Sequence, residues 1–479
     1  MLRAMQRILL TLAIAAIPLP ALAQPGPQAM VEQVLAEAGP GTRWGMVVVD
    51  EQGREVVAIA PEGRFIPASN TKLFTTAAAF WKLPALDQPD QPGGASVWLV
   101  PGKGKVPSVE LVGRGDARLS SADDCKAACL SQLADAIAAK TRKVHDITGD
   151  DTRLVDQRWS PGMSWNNIPT RSGTATSALT LDDNEAKVVV TPGAEGAPPT
   201  VALPAYLTPD IRARTVASGP SALSVDRLPG SRRVQVWGTI AAGAPRVVTL
   251  GIDDPADYAA WKLGEMLKAR GVKVTGTTRA RHRIDPQAMA IEDRPPPLAT
   301  VLPPPLFEDL TRINKESQNL HTELLLRRVG MAVSGLPQDA SVEGGQKVVS
   351  AMLKEAGLKP HQFTFADGSG MSTYNRVAPR GVVGFLRWTQ SQPWGAQFRQ
   401  TLPIGGTDGT LVARFKATLL EGRIFAKTGT LNATNALAGF LTTKSGKTYT
   451  FAAYANDVPE GVMATRTMDK ALILLAETQ

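Results

Sequence analysis

The two ends of the chain carry the parts of one α/β domain, and a long segment of different character separates them. Near the start, residues 44–49 and 55–60 predict a β-hairpin, and an Ala-rich helix is predicted over 70–83. The end of the chain predicts three strands and a last amphipathic helix, at 423–426, 437–442, 448–454 and 462–477. This arrangement favours one mainly antiparallel sheet built from both chain ends and flanked by helices.

The middle of the 479-residue chain is rich in short strand-like runs and in Gly/Pro loops. The runs lie at 96–100, 108–112, 186–190 and 233–237, with helices predicted at 122–140 and 257–270. Proline clusters at 295–297 and 303–305 end this segment, and helical periodicity returns at 307–329 and 344–356. We therefore predict a terminal domain made of 24–90 and 300–479, with 91–299 inserted into it.

Residues 1–23 predict a secretory signal peptide. Arg3 and Arg7 supply the basic start, residues 8–17 are apolar except for one threonine, and Ala21-Leu22-Ala23 fits the cleavage pattern. A retained membrane anchor needs about 20 apolar residues, and two prolines interrupt this stretch too early. We expect an exported, periplasmic protein with no transmembrane segment in its mature part.

The positive net charge of the chain suggests nucleic-acid binding, but the distribution of the basic residues argues against it. Lys and Arg number 52 against 44 Asp and Glu, which gives a net charge of +8. The basic residues are spread thinly and aromatic residues make up only 5%, whereas nucleic-acid binding needs a basic surface together with stacking platforms. We predict no nucleic-acid binding.

The chain has two cysteines, Cys125 and Cys129, and four histidines. An exported protein permits a disulfide between these cysteines, and two free thiols are the alternative. The histidines show no paired-ligand spacing, so the sequence predicts neither a metal site nor a cofactor.

Ser69 and Lys72 form an S-x-x-K motif directly before the first predicted helix. Positions i and i+3 share a helix face, so the lysine amine can reach the serine hydroxyl. A serine becomes a nucleophile when a neighbouring base takes its proton, and a lysine serves as that base when its pKa is lowered. Alone, the pattern is weak, since an N-cap serine beside a solvated lysine has the same spacing.

A second motif, S-x-N, supplies a hydroxyl and an amide. It occurs at Ser164 and Asn166, in a loop of the inserted region, and at Ser317 and Asn319, beside a strongly helical run. We choose Ser317 and Asn319, and interpret Ser164 as part of a structural turn.

The third motif, K-[TS]-G, also has two matches. Residues 444–446 stand between two predicted strands and are interpreted as a hairpin turn. Lys427, Thr428, Gly429 and Thr430 close the strand predicted at 423–426. There the lysine offers positive charge to an anionic group, and the glycine lets a ligand approach the strand.

The ordered set S-x-x-K, S-x-N and K-T-G resembles the active-site serine penicillin-recognising enzymes, which comprise the penicillin-binding proteins and the serine β-lactamases. The interval from Lys72 to Ser317 is several-fold longer than in most of them. A large insertion at this point resembles the class C low-molecular-mass penicillin-binding proteins, the D-alanyl-D-alanine carboxypeptidase/endopeptidase family (peptidase family S13). Residues 111–116, 147–151, 367–372 and 402–411 also agree with that family, while Arg114 and Gln318 depart from it.

The resemblance implies a fold and a division of the chain. The expected fold is α/β: a penicillin-binding-protein/serine β-lactamase-like domain with a mainly antiparallel sheet flanked by helices, plus large strand-rich inserted domains. It also implies two subdomains within the insertion, 91–113 with 205–299, and 114–204.

The resemblance further implies hydrolysis of peptidoglycan stem peptides that end in D-Ala-D-Ala or form D-Ala-diaminopimelate cross-links, with β-lactams as inhibitors. Ser69 is then the nucleophile, Lys72 the general base and Ser317 the proton relay. The residues expected to bind the substrate are Asn319, Lys427, Thr428, Gly429 and Thr430.

Two other functions remain as alternatives. A class A β-lactamase resembling this chain needs an E-x-x-L-N sequence to activate water, and none occurs. A non-catalytic peptidoglycan-binding protein would not need an intact set of Ser69, Lys72, Ser317 and Lys427. Other hydrolase and dinucleotide-enzyme classes are disfavoured because no G-x-S-x-G occurs and no G-x-G-x-x-G follows a strand.

Overall fold

The structure is a computed structural model that describes residues 26–288 and 294–479. The predicted signal peptide, 1–23, lies outside the described residues. Within them, none of the helices has both the length and the apolar character that a bilayer span requires.

The helices and strands are numbered in chain order. The α-helices are α1 Pro27–Leu35, α2 Thr71–Lys82, α3 Leu130–Lys140, α4 Pro255–Ala269, α5 Leu306–Glu316, α6 Asn319–Ser334, α7 Val342–Glu355, α8 Pro379–Gln390, α9 Gly395–Gln400 and α10 Ala464–Thr478. The strands are β1 Arg43–Val49, β2 Glu55–Ile59, β3 Ala95–Val100, β4 Ser108–Gly113, β5 Lys143–Val144, β6 Ile147–Asp150, β7 Glu185–Thr191, β8 Thr200–Ala202, β9 Thr208–Ile211, β10 Arg214–Val216, β11 Ala222–Asp226, β12 Arg233–Ala241, β13 Arg246–Gly251, β14 Lys273–Val274, β15 Thr278–Arg281, β16 Ala299–Val301, β17 Phe363–Thr364, β18 Arg376–Val377, β19 Ile424–Leu431, β20 Thr434–Thr442 and β21 Thr448–Asn456.

One five-stranded antiparallel sheet joins the two chain ends, in the order β19-β20-β21-β1-β2. The joint is the β1–β21 pair, which runs from Arg43 opposite Asn456 to Val49 opposite Thr450. Successive side chains of a strand point to opposite faces, so β1 contributes to two hydrophobic cores. Val47 packs with α2 and α5–α9 on one face, and Met46 packs with α1 and α10 on the other. The α/β fold predicted from the chain ends is confirmed.

Helix α2 lies in the centre of the first of these cores. Leu73, Phe74 and Ala77–Ala79 are buried there against α6, α7 and α8. Small alanine side chains let neighbouring helices approach α2 closely, so packing fixes the position of this helix in the core.

A further hydrophobic core, whose buried residues all lie between Ala95 and Val301, occupies the segment predicted as an insertion and extends just past its predicted end at 299. The largest sheet of this segment has the order β15-β6-β4-β3-β16. Strand β6 pairs with β4, and β7 pairs with β13, so strands of 114–204 join strands on both sides of that segment. The predicted subdivision of 91–299 does not follow these sheets, and the domain boundaries stay a prediction.

Three predicted elements differ from those observed. The helical stretch 307–329 is two helices, because the chain turns at Ser317, which has φ +62°. The helix predicted from 122 begins only at Leu130, and Cys125 and Cys129 form a disulfide in the loop before it. Strand β19 runs through the K-T-G motif instead of ending before it.

Candidate active site

Ser69 lies in the 3₁₀ turn Ala68–Asn70, which leads directly into α2. Two backbones approach this turn so closely that only glycine fits. A Cβ at Gly370 would lie 1.9 Å from the Ala68 carbonyl oxygen, and one at Gly429 would lie 2.5 Å from the Pro67 oxygen. Strand β19 and the loop around residue 370 therefore hold the serine turn between them.

Lys72, the second residue of α2, is fully buried one turn after Ser69, and its amine faces three acceptors. Nζ lies 3.0 Å from Ser69 Oγ, 2.6 Å from Asn319 Oδ1 and 2.6 Å from the Ser369 carbonyl oxygen. Burial disfavours the ammonium form and lowers the pKa of Lys72 to about 7, although the nearby carboxylates of Asp367 and Glu323 act in the opposite direction. The structure thus places the Lys72 amine in contact with the Ser69 hydroxyl, the contact that the S-x-x-K spacing predicts.

Ser317 lies between α5 and α6, and its left-handed backbone turns the chain there. Its Oγ lies 2.9 Å from Nζ of Lys427, which also donates to the Thr428 carbonyl oxygen at 3.1 Å. Lys427 is fully buried in β19, and burial together with the positive charge of Lys72 places its pKa well below the ordinary value for lysine. The second and third motifs thus meet through a serine–lysine contact like that of the first.

Asn319 is the first residue of α6 and connects two parts of the molecule. Its Oδ1 accepts the hydrogen bond from Lys72, and its Nδ2 donates to the Ser172 carbonyl oxygen at 2.9 Å. Ser172 belongs to the inserted region, so the insertion reaches the serine–lysine centre itself.

The rest of the K-T-G motif lies on β19, at the edge of the five-stranded sheet. The Thr428 hydroxyl donates to the Thr410 hydroxyl at 2.7 Å, and Thr430 is exposed. Asn70 of the serine turn donates to the Lys427 carbonyl oxygen at 2.7 Å and fixes the strand to the turn. Because β19 is an edge strand beside Ser69, an extended ligand can lie along it.

In the described part of the chain, the alternative motif copies form no hydrogen bond with Ser69, Lys72, Ser317 or Lys427. Residues 164–166 overlap the 3₁₀ helix Trp165–Asn167, whose tryptophan is 69% exposed. Residues 444–446 lie in the turn that joins β20 to β21, as predicted. The structure therefore brings Ser69, Lys72, Ser317, Asn319 and the residues of 427–430 together, and leaves the alternative copies out.

Sequence reasoning missed three residues around Lys72. Glu323 and Asp367 are buried carboxylates close enough to act on its pKa, and Ser369 supplies a carbonyl acceptor. Residues 367–372 stood out only as a stretch without an assigned role. Glu323 follows Asn319 by four positions, so the helical period places both on the same face of α6.

The fold and the three contacting motifs define a serine hydrolase of the class that contains penicillin-binding proteins and serine β-lactamases. The chain belongs to the D-Ala-D-Ala carboxypeptidase 3 (S13) family, whose model matches residues 28–479. Membership of this family makes it a hydrolase of the D-Ala-D-Ala carboxypeptidase type.

Individual relatives agree with this family. The chain is 34% identical over 433 residues to a D-alanyl-D-alanine carboxypeptidase of Actinomadura sp. (strain R39), which covers 84% of this chain and 76% of the relative. The crystal structure of penicillin-binding protein 4 (dacB) from Haemophilus influenzae has the same fold, with TM-score 0.76 and 23% identity over 94% of this chain and 98% of that one. The structure of that protein complexed with a β-lactam matches over the same shares with TM-score 0.71 and 22% identity.

Proposed function

We propose that this protein is a serine-type D-Ala-D-Ala carboxypeptidase that acts on peptidoglycan stem peptides through an acyl-enzyme on Ser69. The observation that carries the proposal is the contact of 3.0 Å between Lys72 Nζ and Ser69 Oγ, with a pKa of Lys72 of about 7. At neutral pH a large fraction of Lys72 is then the free amine, which is the form able to take the serine proton.

The surroundings of Lys72 orient that amine. A neutral amine has two N–H bonds and one lone pair. Asn319 Oδ1 and the Ser369 carbonyl oxygen, each at 2.6 Å, accept the two N–H bonds. The lone pair is left facing Ser69 Oγ, which is the direction that general-base catalysis requires.

In the proposed reaction, Ser69 Oγ attacks the carbonyl carbon of the penultimate D-Ala while its proton passes to Lys72. Backbone N–H groups of Ser69 and Thr430 stabilise the oxyanion, an effect worth about 3–4 kcal/mol per donor in other enzymes. The C–N bond then breaks, and Ser317 relays the proton taken up by Lys72 to the departing amine, so that Lys72 and Ser317 return to their starting protonation states. Water hydrolyses the resulting ester, which releases the shortened peptide and restores the Ser69 hydroxyl.

The substrate carboxylate is proposed to bind at Lys427, Thr428 and Thr430, with the chain of the peptide alongside Gly429 and its amide on Asn319. Support comes from the buried, electrostatically unfavourable position of Lys427. A carboxylate at this point compensates the cost of the ammonium charge and raises the pKa of Lys427. The site therefore favours ligands with a terminal carboxylate, a group that D-Ala-D-Ala peptides and β-lactams share.

The proposed setting is the periplasm, with export directed by residues 1–23. The same site is proposed to cleave D-Ala-diaminopimelate cross-links as a DD-endopeptidase and to be acylated by β-lactams. The β-lactam complex of the Haemophilus protein, which shares this fold, supports the last point.

The test is digestion of purified muropeptides, with the products identified by mass spectrometry. We expect release of D-alanine from pentapeptides, cleavage of cross-linked dimers, and loss of both activities in Ser69→Ala. Labelling with fluorescent penicillin should also disappear in that variant, whereas Ser164→Ala serves as a matched control and should keep it. Absence of D-alanine release and of dimer cleavage in the unaltered protein would contradict the proposal, and rapid turnover of nitrocefin would favour a β-lactamase.

A further inference from the structure

One of the acceptors that orient the Lys72 amine is the backbone carbonyl oxygen of Ser369. The buried carboxylate of Glu323 binds the backbone segment that contains this carbonyl. Glu323 Oε1 accepts hydrogen bonds from the amides of Gly368, at 3.0 Å, and Ser369, at 2.8 Å. The carbonyl oxygen of Ser369 in turn accepts from Lys72 Nζ. Glu323 and Lys72 thus bind the N–H and the carbonyl oxygen of one residue, Ser369.

Helix α6 carries both supports of this amine. Asn319 acts directly through its Oδ1, and Glu323, one helical turn later, acts through the backbone of Ser369. The second buried carboxylate nearby, Asp367, accepts from the amide of Gly370, which belongs to the same peptide group as the Ser369 carbonyl, and from Ser372 N–H and Asn375 Nδ2. Both carboxylates therefore hold the segment that bears the Ser369 carbonyl, and Glu323 does so from the helix that also carries Asn319.

The inserted region holds Glu323 in turn. Arg327 is 1% exposed and donates to Glu323 Oε2 at 2.9 Å and to the Gln157 carbonyl oxygen at 2.8 Å. The Ser160 hydroxyl donates to the same Oε2 at 3.3 Å. Both Gln157 and Ser160 belong to the insertion, so a continuous set of hydrogen bonds runs from the insertion through Glu323 to the serine–lysine centre.

We propose that Glu323 is a positioning residue for the general base, which fixes the Ser369 carbonyl and thereby the direction of the Lys72 amine toward Ser69. This inference rests on the proposed function, in which Lys72 is that base. Removal of a single hydrogen bond of this kind displaces a reacting group, and a displacement of about 1 Å can cost roughly 100-fold in rate.

The charge of Glu323 has a second consequence. The charged and titratable groups near the Lys72 amine are Glu323 from α6, Asp367 from its loop and Lys427 from β19. Both carboxylates favour the ammonium form of Lys72 and so raise its pKa against the effect of burial. Arg327 holds the pKa of Glu323 below its ordinary value despite burial, so Glu323 bears its charge at neutral pH.

Two substitutions separate position from charge. Glu323→Gln keeps an acceptor for the two amides but removes the charge, and Glu323→Ala removes both. The control is Glu110→Gln, which neutralises a carboxylate paired with Arg281 and Arg294 in the insertion, on β4. The measurement is the rate of Ser69 acylation by fluorescent penicillin from pH 5.5 to 9, together with kcat and KM for D-alanine release.

For Glu323→Gln we expect the acid limb of the acylation profile to move to lower pH. A nearby opposite charge contributes about 1–3 units to a pKa. The shift should be smaller, about one unit or less, because Asp367 ionises more fully in this variant and replaces part of the lost negative charge. For Glu323→Ala we expect kcat to fall at least about tenfold with little change in KM. Glu110→Gln should keep the unaltered pH profile even if its melting temperature falls.

The inference is wrong if Glu323→Gln and Glu323→Ala are folded and retain the pH profile and the kcat of the unaltered protein. If Glu323→Ala does not fold, the profile of Glu323→Gln decides, because a residue with only a structural role would leave the acid limb in place. If the unaltered protein itself forms no penicillin adduct on Ser69 and releases no D-alanine, the proposed function fails, which is a different result.

Discussion

Two buried lysines determine the chemistry of the site at the scale of single residues. Lys72 and Lys427 are both 0% exposed, and each contacts a serine hydroxyl. A buried ammonium is costly unless an opposite charge compensates it. Lys72 has Glu323 and Asp367 nearby, whereas the neighbouring positive charge of Lys72 lowers the pKa of Lys427 further. Lys72 is therefore suited to exchange a proton, and Lys427 to gain charge when an anion binds.

The pKa of Lys72 predicts how acylation depends on pH. In the proposed mechanism the free amine is the reactive form, so the rate of Ser69 acylation by penicillin should rise with pH and reach half of its maximum near pH 7. Lys72→Arg cannot lose its proton in this range and should acylate at least about 100-fold more slowly at every pH. A profile that is flat from pH 5.5 to 8 in the unaltered protein would contradict Lys72 as the base.

At the scale of secondary-structure elements, the site is a meeting point of a helix start, a helix break and an edge strand. The helix start was predictable, because S-x-x-K before an Ala-rich stretch has a local signal. The break at Ser317 was not, since apolar periodicity continues through it and serine has no strong preference for the left-handed backbone found there. The extent of β19 was also missed, because the K-T-G residues lack the alternation that marks a strand.

A substitution at Gly370 tests whether the site needs the close approach between the loop around residue 370 and the turn that carries Ser69. Gly370→Ala should destabilise the protein and slow Ser69 acylation at least about tenfold, because its Cβ would meet the Ala68 oxygen at 1.9 Å and displace the serine turn. Gly357→Ala is the matched control: its φ of +82° resembles the +89° of Gly370, but nothing lies within 4 Å of the new Cβ.

The control should show only the cost of a left-handed backbone, about 1–2 kcal/mol, with acylation unchanged. Stability is measured by urea denaturation and acylation with fluorescent penicillin. Equal acylation rates in the two variants would show that the close approach at Gly370 is not needed for the site.

At the scale of the whole molecule, polar contacts join the predicted insertion, 91–299, to helix α6 at the candidate site. Ser172 accepts from Asn319, and Ser160 donates to Glu323. The long interval between the motifs predicted an insertion. It did not predict these contacts, because they join residues well over 100 positions apart and no local sequence pattern indicates them. The same limit explains why the pairing of β6 with β4 and of β7 with β13 was not foreseen.

A charged cluster forms a further joint between the two parts of the molecule. His321 of α6 is fully buried between Asp309 of α5, at 2.6 Å, and Asp183 of the insertion, at 2.8 Å. Arg312 also pairs with Asp183 at 2.7 Å. Burial opposes charge on His321, but the two carboxylates outweigh it and raise its pKa to about 9. The cluster lies next to the α5–α6 break, so it also supports the position of Ser317.

The raised pKa of His321 predicts the sign of a pH effect on stability. A histidine whose pKa is higher in the folded state contributes fully below its unfolded value, about 6.5, and loses the contribution as pH rises through 9. Asp183→Asn removes one partner but keeps a residue that tolerates the left-handed backbone at this position, where φ is +55°. We expect this variant to melt at a clearly lower temperature than the unaltered protein at pH 6, and the difference to shrink by pH 10.

Part of the difference should persist at pH 10, because Arg312 keeps its charge there and still loses its partner. The exposed Asp87→Asn is the control and should change the melting temperature little at either pH. The melting temperature of Asp183→Asn could instead lie as far below that of the unaltered protein at pH 10 as at pH 6. That result would show that Asp183 stabilises the protein through Arg312 alone, and not through protonated His321. In that case the insertion is held by the arginine pair, and its attachment to the α5–α6 break does not weaken in alkali.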